Sequence, residues 1–206
     1  MTYGVTPTEF SNVEWSMPPT DMQRAVLSAH PATPCAAVRA LETHVGVTQA
    51  GILLVNYVLD ADLRRLRIAP PRRSRRANEL WKHTCFEAFV APDESPGYDE
   101  LNFAPSGEWA AYRFSAYRTG MQLASGLGTP EIRVQRTPDR LELESATALV
   151  DFGIDAAVPQ RKPALRLAVA AVIEDEDGRL SYWALRHAEG KPDFHHPQAF
   201  ALEVAP

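Results

Sequence analysis

The sequence predicts an all-β fold: an antiparallel β-sandwich of two sheets with about nine to eleven short strands. Three observations carry that expectation. Apolar, β-branched and aromatic runs of strand length recur along the chain, and no amphipathic helical period lasts beyond about two turns. Seventeen prolines and eleven glycines punctuate those runs. The longest apolar run, Leu167 to Ile173, is itself only strand length, well short of the roughly 18 residues expected of a membrane span.

At 206 residues and 45% hydrophobic, the chain can bury a core as one domain. Residues 1–22 are polar, carry Pro7, Pro18 and Pro19, and read as an N-terminal arm with Trp15 as its docking anchor. Residues 23–206 then form the sandwich domain. A net charge of −5 gives no reason to expect nucleic acid or an anionic membrane as partner. The N-terminus shows no basic segment followed by an apolar run, and Cys35 and Cys85 have neither metal nor disulfide spacing. A cytoplasmic location is the expectation.

Strands are expected at Arg24 to His30, Ala36 to Val47 and Ile52 to Leu59, the last a β-branched and aromatic run suited to a central position. Leu63, Leu66 and Ile68 suit a short strand or one helical turn. Pro70-Pro71 opens a loop with Arg72, Arg73, Arg75 and Arg76, read as a solvated loop since no aromatic residue interleaves the arginines. Cys85 to Val90 is a strand, and Leu101 to Phe114 a hairpin turning at Pro105 to Glu108. Met121 to Thr129 is a loop. Ile132 to Arg136 and Leu141 to Leu149 form a second hairpin, and Asp151 to Pro163 is irregular. Leu165 to Ile173 must be central, and Asp177-Gly178 suits the turn into Leu180 to Leu185. Phe200 to Val204 closes the fold.

Most catalytic chemistry lacks its residues. Gly-X-Ser-X-Gly, a glycine-rich phosphate loop and a dinucleotide fingerprint are all absent. Zinc would draw on His187, His195, His196 and Asp193, but adjacent His195 and His196 on extended backbone point to opposite sides. Calcium would draw on Asp93, Glu94, Asp99 and Glu100, or on Glu174 to Asp177, neither of which matches an EF-hand. Haem would draw on Met121, His44, His83 or His187, and nothing in their spacing selects them. No cofactor is expected.

The positive signal is aromatic and polar. A four-residue turn would pair Ala104 with Trp109 and Asn102 with Ala111. Leu101, Phe103, Ala110, Tyr112 and Phe114 would then face the core, and Asn102, Trp109 and Arg113 the other side. In the preceding strand Cys85, Glu87 and Phe89 share a face. Glu87, Asn102 and Arg113 on one sheet suit either a small polar ligand or an internal ion pair that ties strands together.

Leu80-Trp81-Lys82-His83-Thr84-Cys85-Phe86-Glu87-Ala88-Phe89, then Tyr98 to Trp109, then Ser181-Tyr182-Trp183-Ala184-Leu185, with Pro197 to Val204 as closing segment, resemble the bacterial DOMON-like domains, which are similar to family 9 carbohydrate-binding modules. The resemblance spans roughly Arg24 to Val204. It implies a two-sheet sandwich that binds a sugar or another small polar ligand without catalysis. By motif it implies Trp81 and Trp183 gripping the ligand, with Glu87, Asn102 and Arg113 as polar partners. His83, Trp109 and His187 are secondary candidates. His83-Thr84 stands where the modules carry acidic residues. The alternatives are a haem- or redox-cofactor-binding DOMON-type domain, an enzyme centred on Glu87, Asn102, Arg113 and His83, or a structural domain that binds a partner protein.

Overall fold

A computed structural model of the chain describes residues 22–92, 95–153 and 164–204. The N-terminal arm with Trp15, the loop acids Asp93 and Glu94, and most of the irregular segment before Leu165 lie outside the described residues.

The strands are β1 (Gln23–Ala29), β2 (Val38–Val47), β3 (Ile52–Ala61), β4 (Cys85–Pro92), β5 (Tyr98–Phe103), β6 (Trp109–Phe114), β7 (Gln122–Leu123), β8 (Glu131–Arg136), β9 (Arg140–Ala148), β10 (Leu165–Glu174), β11 (Leu180–Ala184) and β12 (Leu202–Val204). Leu63–Arg65 is one 3-10 turn capped by the Asp62 side chain, not a strand. All the strand pairings are antiparallel, in the order β7-β6-β5-β4-β10-β11-β1-β2-β3-β9-β8. β12 lies beside the first residues of β10 (Leu165 to Leu167), and β11 beside its last (Ala170 to Glu174).

Two separate sheets were expected; the ladder is continuous instead. β1 belongs to both halves: Gln23 to Leu27 pair with β2, while Ser28 and Ala29 pair with β11. The sheet curls so that its two halves face each other. Between them lies the main core, which includes Leu41, Tyr57, Leu59, Phe86, Phe103, Leu141, Leu143, Leu167 and Ile173. Tyr57 on β3 crosses this core. Its hydroxyl donates to the Glu87 carbonyl oxygen on β4 at 2.6 Å, and its ring lies 5.1 Å from that of Phe86.

A second apolar cluster covers the outer face of the β6-β5-β4-β10-β11 half. Alternation puts Phe89, Tyr98, Tyr112, Phe114, Ala168, Ala170, Val172 and Ala184 there. The chain between β11 and β12 folds over them, contributing Phe194, Ala199 and Phe200. Alanines at 110, 168, 170 and 184 keep this face shallow and leave room for a covering loop.

The β5–β6 register differs from the expected one by a residue. Phe103 pairs with Trp109, Asn102 with Ala110 and Leu101 with Ala111. The connection is a tight turn in which Gly107 N–H donates to the Ala104 carbonyl, followed by Gly107 itself at φ +87°. That left-handed residue is the extra one of a G1-type bulge. One step of register exchanges the faces of β6. Trp109 and Ala111 face the main core, while Ala110, Tyr112 and Phe114 face outward with Asn102.

The arginine loop straps this hairpin. Arg75 Nε donates to Glu108 Oε1 at 2.8 Å, and Arg72 lies 3.6 Å from Glu108 Oε2. The Arg76 guanidinium sits 4.2 Å over the Trp109 ring and donates to the carbonyls of Ala111, Ala124 and Leu127.

Because Tyr57 links the two halves through one buried hydrogen bond, Tyr57→Phe is expected to cost about 1–2 kcal/mol. Urea unfolding should show a lower midpoint with an unchanged slope.

Candidate functional site

The outer face carries a cleft of about 360 Å³, within the range of small-molecule sites. Its floor holds two carboxyl side chains, Glu87 from β4 and Glu100 from β5. Its walls are Trp81, Phe114, Tyr182 and Phe194, and Arg118 and Met121 also line it.

Each floor residue is placed by strand alternation. Glu87 pairs across the ladder with Asn102, and Phe89 with Glu100. Glu87, Asn102 and Glu100 therefore point the same way from adjacent strands. Glu87 is 3% exposed and its Oε1 has no hydrogen-bond partner. Asn102 is fully buried; its Nδ2 donates to Glu100 Oε1 at 2.7 Å, and its Oδ1 accepts the Cys85 thiol at 3.7 Å. Burial, and then the charge of Glu100, push the Glu87 carboxyl well above the ordinary 4.5. Burial also raises Glu100, against the opposing hydrogen bond from Asn102 and the charge of Arg118.

His195 closes one side. Its ring packs edge-on against Phe89 and Phe114, each at 5.1 Å. Burial, and then the charge of Arg118, lower its pKa to about 4, so the imidazole is neutral at pH 7. Arg118 N–H donates to the Tyr98 hydroxyl at 3.2 Å, and Tyr98 Oη lies 2.8 Å from His195 Nδ1. All three groups are satisfied when Tyr98 donates to Nδ1. The imidazole proton is then on Nε2, 3.8 Å from Glu100 Oε2.

The covering loop is pinned by Asp193. Its Oδ1 accepts from the Arg118 guanidinium at 2.7 Å and from the His195 backbone N–H at 3.0 Å, and its Oδ2 accepts from the Tyr117 hydroxyl.

Of the site residues expected from sequence, the structure brings Trp81 and Glu87 to the cleft, with Asn102 buried beneath it. Trp81 is half-buried on the single 3-10 turn Leu80–Lys82, edge-on to Tyr112 at 5.5 Å. Trp183 goes elsewhere. It is 8% exposed in the main core, where its Nε1 donates to Ser181 Oγ at 2.7 Å. Alternation along β11 presents Tyr182 to the cleft in its place. Arg113 also leaves the group, because the one-residue register shift puts it opposite Asp99, which it grips at 2.8 and 3.0 Å.

Trp109 is a core residue for the same reason. His83 pairs with Glu174 at 2.7 Å, and His187 lies 2.8 Å from the Ser28 carbonyl. His44 lies 3.7 Å from Glu42. Of the haem-ligand candidates, only Met121 lines the cleft. Among the described residues no group of three or more His, Cys, Asp or Glu side chains is placed to hold a metal ion.

Sequence reasoning missed the pairing of Glu100 with Glu87 and the role of His195 as a wall. The first was within reach: Glu100 lies two residues from Asn102 and so shares its face. His195 carries no local signal, because a loop of the covering segment delivers it.

No family model matches the chain, and no curated protein matches it significantly. Solved structures do resemble it. A protein from Bacteroides uniformis ATCC 8492, provisionally described as carbohydrate-binding, superposes with a TM-score of 0.62 at 15% identity, over 89% of this chain and 86% of that one. A family 9 carbohydrate-binding module from Caldicellulosiruptor kristjanssonii, in complex with cellotriose, gives 0.51 at 13% identity, over 89% of this chain and 82% of that one. The same organism's family 9 module with glucose gives 0.51 at 12% identity, over 99% and 92%. The likeness is one of fold.

Glu87 and His195 act on stability in opposite windows. The folded-state pKa of Glu87 is raised, so its contribution is complete below about pH 4 and is lost as pH rises through the folded value. The pKa of His195 is lowered from 6.5 to about 4, so its contribution is present above 6.5 and is lost as pH falls through 4. Glu87→Gln removes only the first. The melting temperature of this variant relative to the native chain is expected to climb between about pH 5 and pH 8. A difference that stays flat across that range would show that Glu87 is ionised throughout it.

Proposed function

We propose that this chain is a non-catalytic binding domain whose outer-face cleft takes a carbohydrate. The observation that carries the reading is the combination of a half-buried indole, Trp81, with a polar floor in which Glu87 Oε1 lacks a partner. An indole covers the C–H face of a sugar ring, and carboxyl oxygens take its hydroxyls. A carboxyl that keeps its proton offers a donor as well as an acceptor, so the Glu87–Glu100 pair can meet hydroxyls of either polarity. The fold shared with modules seen with cellotriose and glucose supports the same ligand class. On this reading the curled sheet is a variant of the DOMON-like two-sheet sandwich.

A binding role is favoured over hydrolysis by the placement of the acids. Glycoside hydrolysis needs two carboxyl groups flanking the scissile bond. Here both rise from neighbouring strands on one floor.

Magnitudes set the expected affinity. If one indole removes about 80 Å² of apolar sugar surface from water, it contributes roughly 2 kcal/mol. A dissociation constant of 1 mM needs about 4 kcal/mol, so hydrogen bonds at the floor must supply a comparable share. With Trp183 in the core there is one indole where the motif implied two, and binding in the millimolar range follows.

Titration calorimetry against a panel of mono- and disaccharides tests the proposal. At least one sugar should bind, Trp81→Ala should weaken it about tenfold, equivalent to about 1.4 kcal/mol, and the melting temperature should hardly move. Trp183→Phe should lower stability and leave affinity unchanged. Silence from the whole panel, or a loss of affinity that tracks Trp183 and not Trp81, would overturn it.

A further inference from the structure

The cleft's charge is unbalanced in a way a neutral sugar does not answer. Its floor holds the two carboxyl groups of Glu87 and Glu100, 3% and 5% exposed. Asn102 satisfies one oxygen of Glu100, and Oε1 of Glu87 has no partner. Apart from the charge of Arg118, which acts on Glu100, the groups that face the pair are neutral. Cys85 is a buried thiol held protonated by burial and by the nearby glutamates. Tyr98 and Tyr112 are neutral phenols, and His195 is a neutral imidazole. Among the described residues Arg118 is the one cation that lines the cleft, and Asp193 holds its guanidinium at 2.7 Å.

Resting on the carbohydrate reading, we infer that the cleft selects an amino sugar, with its protonated amine seated on the floor against Glu87 and Glu100 beneath the aromatic walls. An ammonium group has three donors, enough to reach both carboxylates at once, whereas a hydroxyl has one. The faces of Trp81, Phe114 and Tyr182 are also attractive to a desolvated cation. A hard metal ion suits the floor less well, since calcium wants six to eight oxygen ligands and the described residues assemble no group of three acidic, His or Cys side chains.

The amine displaces a proton. Burial favours a proton on the crowded pair; an ammonium between the two carboxyl groups favours both carboxylates, and the proton it displaces passes to the buffer. Binding is therefore coupled to proton release, which docking of a neutral sugar is not.

Calorimetry on the intact chain at about pH 6.5, with glucosamine, glucose and N-acetylglucosamine in two buffers of different ionisation enthalpy, tests this. Glucosamine should bind at least about tenfold more tightly than glucose. Acetylation, which removes the charge, should abolish that advantage, and glucosamine alone should show a buffer-dependent heat. Glu87→Gln, and separately Glu100→Gln, should bring the glucosamine-to-glucose affinity ratio towards one, with circular dichroism confirming the fold of each. Equal affinities for glucose and glucosamine, both sensitive to Trp81→Ala, would overturn the amine inference and leave the carbohydrate reading standing. If no sugar binds, charged or neutral, both fall together.

Discussion

Which side chains share the cleft is decided by one residue in a turn. Gly107 sits at φ +87°, where an L-residue is strained. It adds the extra position that makes Phe103 the partner of Trp109. With an even turn, Trp109 and Arg113 would face outward beside Asn102, while Tyr112 and Phe114 would enter the core. Strand periodicity turns a single-residue step into a complete exchange of faces. The core tryptophan, the Arg113–Asp99 pair at the margin, and the aromatic wall that Phe114 supplies all depend on that step. The arginine strap through Glu108 and over Trp109 holds the turn in that register.

The same ladder places two carboxyl groups together under cover. Burying an ionised carboxylate without a partner is costly, and proteins respond by shifting its proton equilibrium. Glu87 and Glu100 both move in that direction. The opposite response is visible at His195, which loses its charge for the same reason. Groups poised in this way are concentrated at sites that do something. Here they are held by rigid elements: Glu87 and Glu100 on central strands, and His195 on a loop that Asp193 pins to Arg118 and Tyr117.

The fold depends equally on β1. By giving Gln23 to Leu27 to one ladder and Ser28 and Ala29 to the other, it joins the halves at a corner. Tyr57 then links them from inside through the Glu87 backbone carbonyl. The residue at the cleft floor is thus tied by its main chain to the opposite half of the sheet.

Local chemistry was enough to read most of the strands and part of their alternation. β-branched runs, turn glycines and prolines marked the elements, and the Cys85-Glu87-Phe89 face of β4 follows from period two alone. Trp81 and Glu87, singled out together in one short segment, both line the cleft. Four things were not legible in the sequence. The register of β5–β6 depended on a left-handed glycine whose conformation leaves no periodic trace. The continuity of the two ladders depended on where β1 changes partner. The outward turn of Tyr182 in place of Trp183, and the arrival of His195 over the floor, depended on pairing with β10 and on a covering loop about a hundred residues from Glu87 in sequence. Alternation states which residues share a face; only long-range pairing and packing decide which face meets the core and what closes over the other.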